Sequence, residues 1–553
     1  SVYDRADYRM VFRTIGDSLL PSLTYPVVGD SYMTSKPGGS LLAIGATRTG
    51  LPILTSLMRH GGFDFTLAGA DYLLYRPDNL DAATPIMLPD VLFPQWRLAY
   101  LRGGEDHMDS TAILNASGWG GHRHKDSLDF TYWANGGEAL SDLGYLWDNP
   151  HQNMTVRSAA HNLVVVDEKD QVTSNRGGSY RFYETAAPFK AAEAESRAYA
   201  ETDVYNRLLL QVQAAKNKPE YVVDVFRVRG GNSHDYVMHA ATEDFAAANI
   251  ALAPGGETAV APYGLTDVAT GTANRIVWTT DWHNSGGEGR TKVWHVPFAD
   301  EQIYIGNGWG QRTNEDTGAQ LPYIVRHLDN TPDGNMFVSV VESYVDNPGI
   351  KDVTPLAAAT DNAGAGASAK VGLQISGNGW HDFVFAAAEG HEQETVWTGG
   401  YGGKPITFAG KMGVLSFAKG NGMGGLQYAF LAGEGRLEYE GEGVAIAAGQ
   451  ELQGTVGESM MNGFAATGEI AGAEQWIGSH VLVRNGSDWT AYPVLDVQVI
   501  NDKTHFITYD GNEGFPFAGG EAWKLIPYVV AERTPSGAWT IVASAGQAQA
   551  FGR

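Results

Sequence analysis

Histidine residues cluster in one part of the chain, between positions 107 and 161. The 553-residue sequence holds 15 histidines, and this window contains five of them, where an even spread would give about one or two: His107, His122, His124, His151 and His161. Imidazole nitrogens are common metal ligands and also exchange protons near neutral pH. The window is therefore where we expect the chemistry of this protein.

The spacing within the window indicates a metal site. His122, His124 and Asp126 stand at positions i, i+2 and i+4, which places all three on one face if the segment is a β-strand. Asp142 follows a strand-like stretch, and His161 opens the next one, HNLVVVD. Two histidines and one aspartate with an open fourth position suit zinc, and less specifically manganese or iron. Histidine pairs of this spacing also occur without a metal, so a structural role stays open on spacing alone.

Composition excludes several other classes of site. The chain has no cysteine, which rules out disulfides, thiolate nucleophiles and cysteine-ligated metals. Its 38 Lys and Arg against 63 Asp and Glu give a net charge of −25, which argues against a nucleic-acid partner. No apolar run has the length of a membrane span, so no membrane partner is expected. We find no G-x-S-x-G, P-loop or H-E-x-x-H motif.

The elements that must position these residues change character along the chain. Residues 1–95 read as short helices, one of them over SLLAIGATRTGLPILTSLMRHGG with a C-cap at its closing glycines and another over FDFTLAGADYLLYR. From residue 96 short runs with a period of two, bounded by Gly, Asn or Asp, predict packed antiparallel sheets. We expect a central antiparallel β-sandwich over 96–395 and a smaller C-terminal β-sandwich over 396–553.

Two strings in the histidine window resemble the signature of the heparinase II/III-like polysaccharide lyases. They are GGHRHKDSLDFTYWANGGEALSDLGY and RSAAHNLVVVDEKDQ, supported by YPVVGDS near residue 30 and EYVVDVFRVRGGNSHDYVMHA at 220–240. This group includes heparin and heparan sulfate lyases and several alginate and oligoalginate lyases. The resemblance covers roughly residues 25–350. It implies an N-terminal α/α-toroid, of which residues 1–95 would be the end, a central antiparallel sandwich and often a smaller C-terminal β domain.

The resemblance also implies a ligand set and a first catalytic residue. Carried over by position, His124, Asp142 and His161 would bind a zinc ion that mainly supports the architecture of the site. His122 would face the substrate cleft as a catalytic residue that neutralises a carboxylate.

Three further residues are candidates near this core. The family also uses an Asn or His and a Tyr from the toroid, for which residues 1–95 are too short, so we expect an incomplete active site in this chain. A second chain or an N-terminal fragment would then supply the remainder. Tyr145 is a candidate substitute for the catalytic tyrosine, and Arg123 and Arg157 are candidate substrate-binding residues.

The function that the resemblance implies is cleavage of an anionic, uronic-acid-containing polysaccharide by β-elimination. A chain of net charge −25 favours a carboxylate-only polymer such as alginate, with glycosaminoglycans as a second possibility. The resemblance further implies a periplasmic or secreted bacterial enzyme. Two alternatives stay open at this point: a non-catalytic carbohydrate-binding or assembly protein, and a cupin-like metalloenzyme with iron or manganese.

Overall fold

Helices lie almost entirely at the start of the chain, and the rest is antiparallel β-structure. The computed structural model describes residues 2–63, 75, 84–118, 122, 124–146, 149–172, 174, 177–213, 218–358, 368–420, 423–460, 462–508 and 517–552. The α-helices among them are Ala6–Asp17, Gly39–Thr49, Pro52–His60 and the short Gln152–Thr155. None of these helices has the length and hydropathy needed to cross a membrane. The mainly-β fold class predicted from the sequence is confirmed.

The stretch predicted as one helix forms two. Gly50 takes a left-handed conformation with φ 63° and ends the first helix, and Pro52 occupies the first turn of the next. Gly61 caps the second helix as predicted. The helices bury apolar side chains such as Leu42 and Leu54 in a small core of their own. The helix predicted over 63–76 lies outside the described residues, apart from its first residue and Tyr75.

Three sheets precede residue 345. The first takes its five strands in chain order: Val91–Phe93, Leu98–Gly103, Ser110–Asn115, Asp129–Ala134 and Gly137–Leu140. The second has eight strands in the order Phe245–Ala248, Trp278–His283, Arg290–Pro297, Asn335–Tyr344, Tyr221–Gly230, Thr202–Val212, Phe189–Ser196 and Gly178–Glu184. The third has six in the order Ala253–Pro254, Thr266–Thr272, Gln302–Trp309, Gln320–Asp329, Ser233–His239 and Leu163–Val166.

Three more sheets complete the described chain. The fourth is ordered Ile350–Pro355, Lys370–Gly377, Trp380–Ala387, Met412–Gly420, Met423–Ala432, Tyr528–Arg533 and Trp539–Ala545. The fifth is ordered Ala357–Ala358, Thr395–Thr398, Ile406–Ala409, Gly435–Tyr439, Glu442–Ile446 and Ala548–Phe551. The sixth is ordered Asp488–Pro493, His480–Asn485, Ala522–Leu525, Leu452–Met460, Gly463–Ala466, Lys503–Ile507 and Asp496–Ile500. The fourth and fifth sheets share one apolar core.

The pairing of the fourth sheet bears on the boundary predicted at residue 395. Trp380–Ala387 pairs with Met412–Gly420, so one sheet takes strands from both sides of that position. The change of sheet falls at Ile350, where the fourth sheet begins. A strand of either sandwich shows the same alternation of side chains, so periodicity alone does not reveal which sheet a strand joins.

A buried arginine connects the second and third sheets to the loops of the histidine window. Arg207 Nε donates to Asp224 Oδ1 at 2.8 Å within the second sheet, and Arg207 Nη2 donates to the Tyr236 hydroxyl of the third at 2.7 Å. Its Nη1 donates to the Leu128 carbonyl at 2.8 Å and also to the Asn162 carbonyl. Leu128 and Asn162 lie close in sequence to Asp126 and His161. Arg207 therefore fixes the backbone near both of these residues to the second and third sheets.

Candidate metal centre

Three side chains predicted as metal ligands converge in the interior. His124 Nδ1 lies 3.1 Å from His161 Nε2 and 3.6 Å from Asp142 Oδ1, and His161 Nε2 lies 3.4 Å from Asp142 Oδ2. All three residues are buried. Donors about 2.0–2.1 Å from a tetrahedral zinc stand about 3.3 Å apart. The two histidine nitrogens therefore stand at about the separation of zinc ligands, and a different carboxylate oxygen of Asp142 lies near each of them.

The outer nitrogen of each ring determines which atom faces this centre. His161 Nδ1 donates to the Arg157 carbonyl at 2.8 Å, and His124 Nε2 donates to Asp30 Oδ1 at 3.3 Å. Carbonyl and carboxylate oxygens only accept, so in the neutral rings His161 Nε2 and His124 Nδ1 are bare lone pairs. Once both rings are neutral, these two lone pairs lie 3.1 Å apart and repel each other unless a cation lies between them. This arrangement fits a metal ion, with the outer hydrogen bonds orienting its ligands.

Asp126 extends the group to four donors. One ligand atom from each of His124, Asp126, Asp142 and His161 lies within 4.8 Å of the others, and all four residues are buried. Asp126 Oδ2 accepts a hydrogen bond from Asn115 Nδ2 at 2.8 Å, which fixes its orientation. Four protein donors are the number that a closed, structural zinc site uses. The donor set thus suits an ion that stabilises the fold around the cleft.

The charges of the centre are strongly coupled. Burial alone would raise the pKa of Asp142, but the charges of His161 and His124 outweigh it and hold that pKa far below its usual value. Burial would lower the pKa of both histidines, but the Asp142 carboxylate outweighs it and raises the pKa of His124 to about 10 and that of His161 to about 9. Positive charge is therefore stabilised at this position, as a proton when no metal ion is bound.

This coupling predicts how zinc binding depends on pH. Zinc must displace the protons that the two histidines retain below about pH 9, so its apparent affinity should rise with pH. We expect an increase of about tenfold or more per pH unit between pH 6 and 8, since at least one proton leaves per ion. Chelator competition at several pH values measures this slope. An affinity independent of pH would contradict the proton-filled state of the cluster.

His122 lies outside this centre, at its exposed edge. Its side chain is 83% exposed, and its Nδ1 donates to Asp30 Oδ2 at 3.0 Å. The described residues of this segment, His122 and 124–126, form no strand, so the one-face arrangement that a strand would give does not apply, and the next strand begins at Asp129. The main chain here pairs with loops instead: Asp30 N donates to the His122 carbonyl at 3.3 Å and Lys125 N to the Val156 carbonyl at 3.0 Å.

A cavity of about 350 Å³ opens beside His122. Its wall combines aromatic side chains with the histidines and includes Tyr25, Trp96, Tyr100, His122, His124 and Asp126. Trp96 is 43% exposed and its ring lies 5.3 Å from that of Phe93. Two members of the buried group, His124 and Asp126, therefore line a cleft of the size that small ligands occupy, with aromatic side chains in its wall.

The other three predicted site residues, Arg157, Tyr145 and Arg123, are not part of the buried donor group. Arg157 provides the carbonyl that orients His161, while its guanidinium Nε lies 3.8 Å from Asp170 Oδ1. Tyr145 is half-buried and packs against Tyr32, with ring centroids 5.8 Å apart; it is not among the residues that line the cavity. Arg123 lies outside the described residues. The catalytic and substrate-binding roles of these three residues stay predictions.

Sequence reasoning missed two supports of the site. Asp30 contacts both histidines of the H-x-H motif, although 92 residues separate it from His122. Arg312 Nη2 donates to the Asp142 carbonyl at 2.6 Å and forms an ion pair with Glu138 at 2.5 Å. The string YPVVGDS around Asp30 was the one available signal, and nothing near Arg312 indicated its contact with the site.

The fold and site together define an antiparallel β-sandwich protein with a buried His/Asp centre beside an aromatic cleft. Residues 88–320 match the family model described as heparinase II/III-like, C-terminal. The resemblance predicted from the sequence is thereby confirmed for this segment, which contains His122, His124, Asp142 and His161. No curated protein matches the chain.

Several solved structures are similar to parts of the chain. A heparinase III structure shows 14% identity and a TM-score of 0.48, covering 68% of this chain and 52% of its own. A mutant of the heparan sulfate lyase HepC from Pedobacter heparinus shows 13% identity and a TM-score of 0.47, covering 69% and 53%. A mutant chondroitin AC lyase from Streptomyces coelicolor shows 13% identity and a TM-score of 0.32, covering 92% and 63%. The chain thus spans about half the length of the heparinase structures that it matches.

Proposed function

We propose that this chain is the cleft-forming β portion of a polysaccharide lyase that cleaves a uronic-acid-containing polymer by β-elimination. One observation carries the proposal: His122 stands exposed at a cavity, anchored by Asp30 to the buried centre of His124, Asp142 and His161. The family match over residues 88–320 supports the same class of reaction.

The residue types suit the chemistry of β-elimination. The C5 proton of a uronate is only weakly acidic until positive charge or hydrogen bonding neutralises the neighbouring carboxylate. His122 provides an imidazole at the cleft whose Nδ1 is held by Asp30, so its other ring nitrogen is available to pair with that carboxylate. A base then removes the C5 proton, and an acid protonates the departing O4.

The buried residues support this arrangement from below. Bound zinc would add positive charge near the cleft floor and hold the four donors in one geometry. His124 is oriented from outside by Asp30 and His161 by the Arg157 carbonyl, so both rings keep their inward nitrogens available. We propose that this centre keeps the loop carrying His122 in place and takes no part in proton transfer.

The proposed substrate is alginate, with glycosaminoglycans as the second choice. A chain of net charge −25 repels a densely sulfated polymer more than one that carries carboxylates alone. Positive potential would come from a local site, formed by His122, the metal centre and the candidate residues Arg123 and Arg157. We further propose a periplasmic or secreted location, and a toroid supplied by a second chain or a preceding segment that completes the cleft.

A degradation assay tests the proposal. The protein as it is encoded is incubated with alginate, heparan sulfate, chondroitin and ulvan, and the ultraviolet absorbance of unsaturated uronate is followed. We expect product from alginate above all. Tight binding of these polymers without product would favour the carbohydrate-binding alternative, and stoichiometric iron with oxygen-dependent turnover would favour the cupin-like one.

Trp96 is expected to stack on a sugar ring of the substrate. Its ring is exposed within the cavity, and its loop is fixed by Arg97, whose N donates to the Phe93 carbonyl at 2.7 Å and whose Nη1 lies 3.0 Å from Asp488 Oδ2. Trp96→Ala should raise KM by roughly 5- to 30-fold, equivalent to about 1–2 kcal/mol of stacking, with little change in kcat. Steady-state kinetics on the best polymer measures both values.

Trp96→Phe is the matched control, because it keeps an aromatic face at the same position. Its KM should lie close to that of the unmodified protein. Tryptophan fluorescence offers an independent reading, since a saturating oligosaccharide should alter the emission of the unmodified protein more than that of either variant. Equal KM values for the alanine variant and the unmodified protein would rule out stacking on Trp96.

A further inference from the structure

Asp30 brings together two histidines that serve different tasks. Its Oδ2 accepts from His122 Nδ1 at 3.0 Å, and its Oδ1 accepts from His124 Nε2 at 3.3 Å. The Asp30 side chain is 16% exposed and lies at the boundary between the exposed His122 and the fully buried His124. One carboxylate therefore contacts both the histidine at the cleft and a histidine of the candidate metal centre.

The backbone around Asp30 is fixed independently of these two contacts. Val28 N donates to Ser31 Oγ at 2.8 Å, which closes the turn, and Gly29 takes φ 58°, which favours glycine. Asp30 N donates to the His122 carbonyl at 3.3 Å, and Tyr145 N donates to the Ser31 carbonyl at 3.1 Å. The carboxylate is thus preorganised against the histidine loop and is not a mobile surface group that happens to meet it.

We propose that Asp30 is the positioning residue of the site, a single carboxylate that sets the orientation and tautomer of both His122 and His124. The part of the proposal that concerns His122 rests on the proposed lyase function. The part that concerns His124 needs only the buried donor cluster.

The chemistry follows from what a carboxylate accepts. Because an ionised carboxylate has no proton to donate, each histidine must present an N–H to it. In neutral His124 this leaves Nδ1 bare and directed at His161 and Asp142, as a metal ligand requires. In His122 it leaves Nε2 as the ring nitrogen available to a group in the cleft, as an aspartate orients a catalytic histidine elsewhere.

Burial and distance argue against an incidental surface pair. Exposed ion pairs contribute little because solvent screens them and both side chains lose freedom. His124 has no exposed side-chain area, so the loss of its Asp30 partner would leave a buried N–H without that acceptor. The segment that carries Asp30 also precedes the first sheet, so the contact joins the helical part of the chain to the histidine loop.

The test uses two variants of Asp30 and a matched control in the whole protein. Asp30→Ala removes both acceptors, whereas Asp30→Asn keeps the shape but retains one acceptor oxygen. Asp17→Asn is the control: Asp17 lies in the same part of the chain, its side chain is 10% exposed, and it accepts from Arg13 Nε at 3.0 Å without touching either histidine. Zinc affinity is measured by chelator competition, and kcat and KM are measured at saturating zinc.

The expected result separates positioning from general damage. Asp30→Ala should weaken zinc binding by roughly 10- to 100-fold and lower kcat by about 100-fold or more with KM nearly unchanged. Asp30→Asn should lose zinc affinity, kcat or both. Asp17→Asn should keep both. In the Asp30→Ala background, the further change His122→Ala should cost far less in kcat than it does alone, because both act through one group.

Two outcomes would overturn the proposal. Zinc affinity of Asp30→Ala equal to that of Asp17→Asn would remove its role toward His124, and additive losses of kcat with His122→Ala would remove its role toward His122. The lyase function fails separately, if the unmodified protein, together with the chain or segment that completes its cleft, yields no unsaturated product from any polymer. In that case the zinc measurement still decides whether Asp30 positions His124.

Discussion

Replacing His122 with alanine is expected to lower turnover by about 100- to 10,000-fold while zinc affinity stays unchanged. The side chain is 83% exposed and its hydrogen bond goes to Asp30, so its loss creates no cavity and removes no metal ligand. What disappears is the imidazole at the cleft that, in the proposed function, pairs with the carboxylate of the polymer. The rate of unsaturated uronate formation and a zinc titration, both on the same preparation, measure the two effects.

His151→Ala is the matched control for this prediction. His151 is an exposed histidine of the same window whose ring lies 5.3 Å from that of Trp309, and it is not among the residues that line the cavity. Its variant should keep normal turnover. If His122→Ala retained full turnover on the best substrate, the proposed role of His122 would be wrong, whatever the state of the metal centre.

The convergence of the three proposed ligands could be predicted because two local strings carry them. His124, Asp142 and His161 each stand in a short stretch with a recognisable neighbourhood, and their resemblance to one family suggested that they meet. The structure brings their donor atoms within 3.1–3.6 Å of one another. Spacing alone left that convergence open, because it depends on how the loop before Asp129 folds back over the sheet.

That loop also shows where pattern reasoning failed. Alternation of His122, His124 and Asp126 has the period of a strand, but the backbone there donates to and accepts from loops near residues 30 and 156. Residues that alternate with a period of two are typical of a strand, but the alternation does not show that a neighbouring strand is present to pair with them. Asp30 was missed for a related reason: a contact across 92 residues leaves no local periodicity.

The larger fold followed from composition and alternation, whereas sheet membership did not. Short apolar runs bounded by turn residues predicted antiparallel sheets, and the structure confirms them throughout the described chain after residue 90. The membership of Trp380–Ala387 in the fourth sheet could not be predicted, because the choice of partner strand depends on packing faces far apart in sequence. The division of the predicted helix into two at Gly50 and Pro52 follows from the residue types, since glycine favours a helix end and proline a helix start.

Burial divides the site into a buried donor group and one exposed histidine. His124, Asp126, Asp142 and His161 are all nearly inaccessible, so a polymer chain cannot reach them. His122 is two residues from the first of them and open to solvent. Loss of this centre should therefore lower stability directly and lower turnover only by displacing His122. The predictions for His122→Ala and His161→Ala separate these two effects.

Replacing His161 with alanine is expected to abolish zinc binding and destabilise the protein. The ring is fully buried, donates to the Arg157 carbonyl and faces Asp142, so its loss removes one donor and leaves a buried carboxylate with a single histidine partner. Breaking a buried charge pair in this way costs about 3–5 kcal/mol. Zinc at a thousand times its Kd adds about 4 kcal/mol to the unmodified protein, and the variant should lose that contribution as well.

His239→Ala distinguishes loss of the metal from loss of any buried histidine. His239 is fully buried near this centre, and its Nε2 has no hydrogen-bond partner among the described residues. Burial lowers its pKa to about 4, yet it does not belong to the donor group. Its variant should be destabilised by packing alone and should still gain about 4 kcal/mol from saturating zinc. Unfolding free energies measured with zinc and with a chelator give the two differences directly. If zinc still raised the unfolding free energy of His161→Ala, His161 would not be a ligand. If zinc no longer raised the unfolding free energy of His239→Ala, packing around the centre, and not the donor group itself, would govern metal binding.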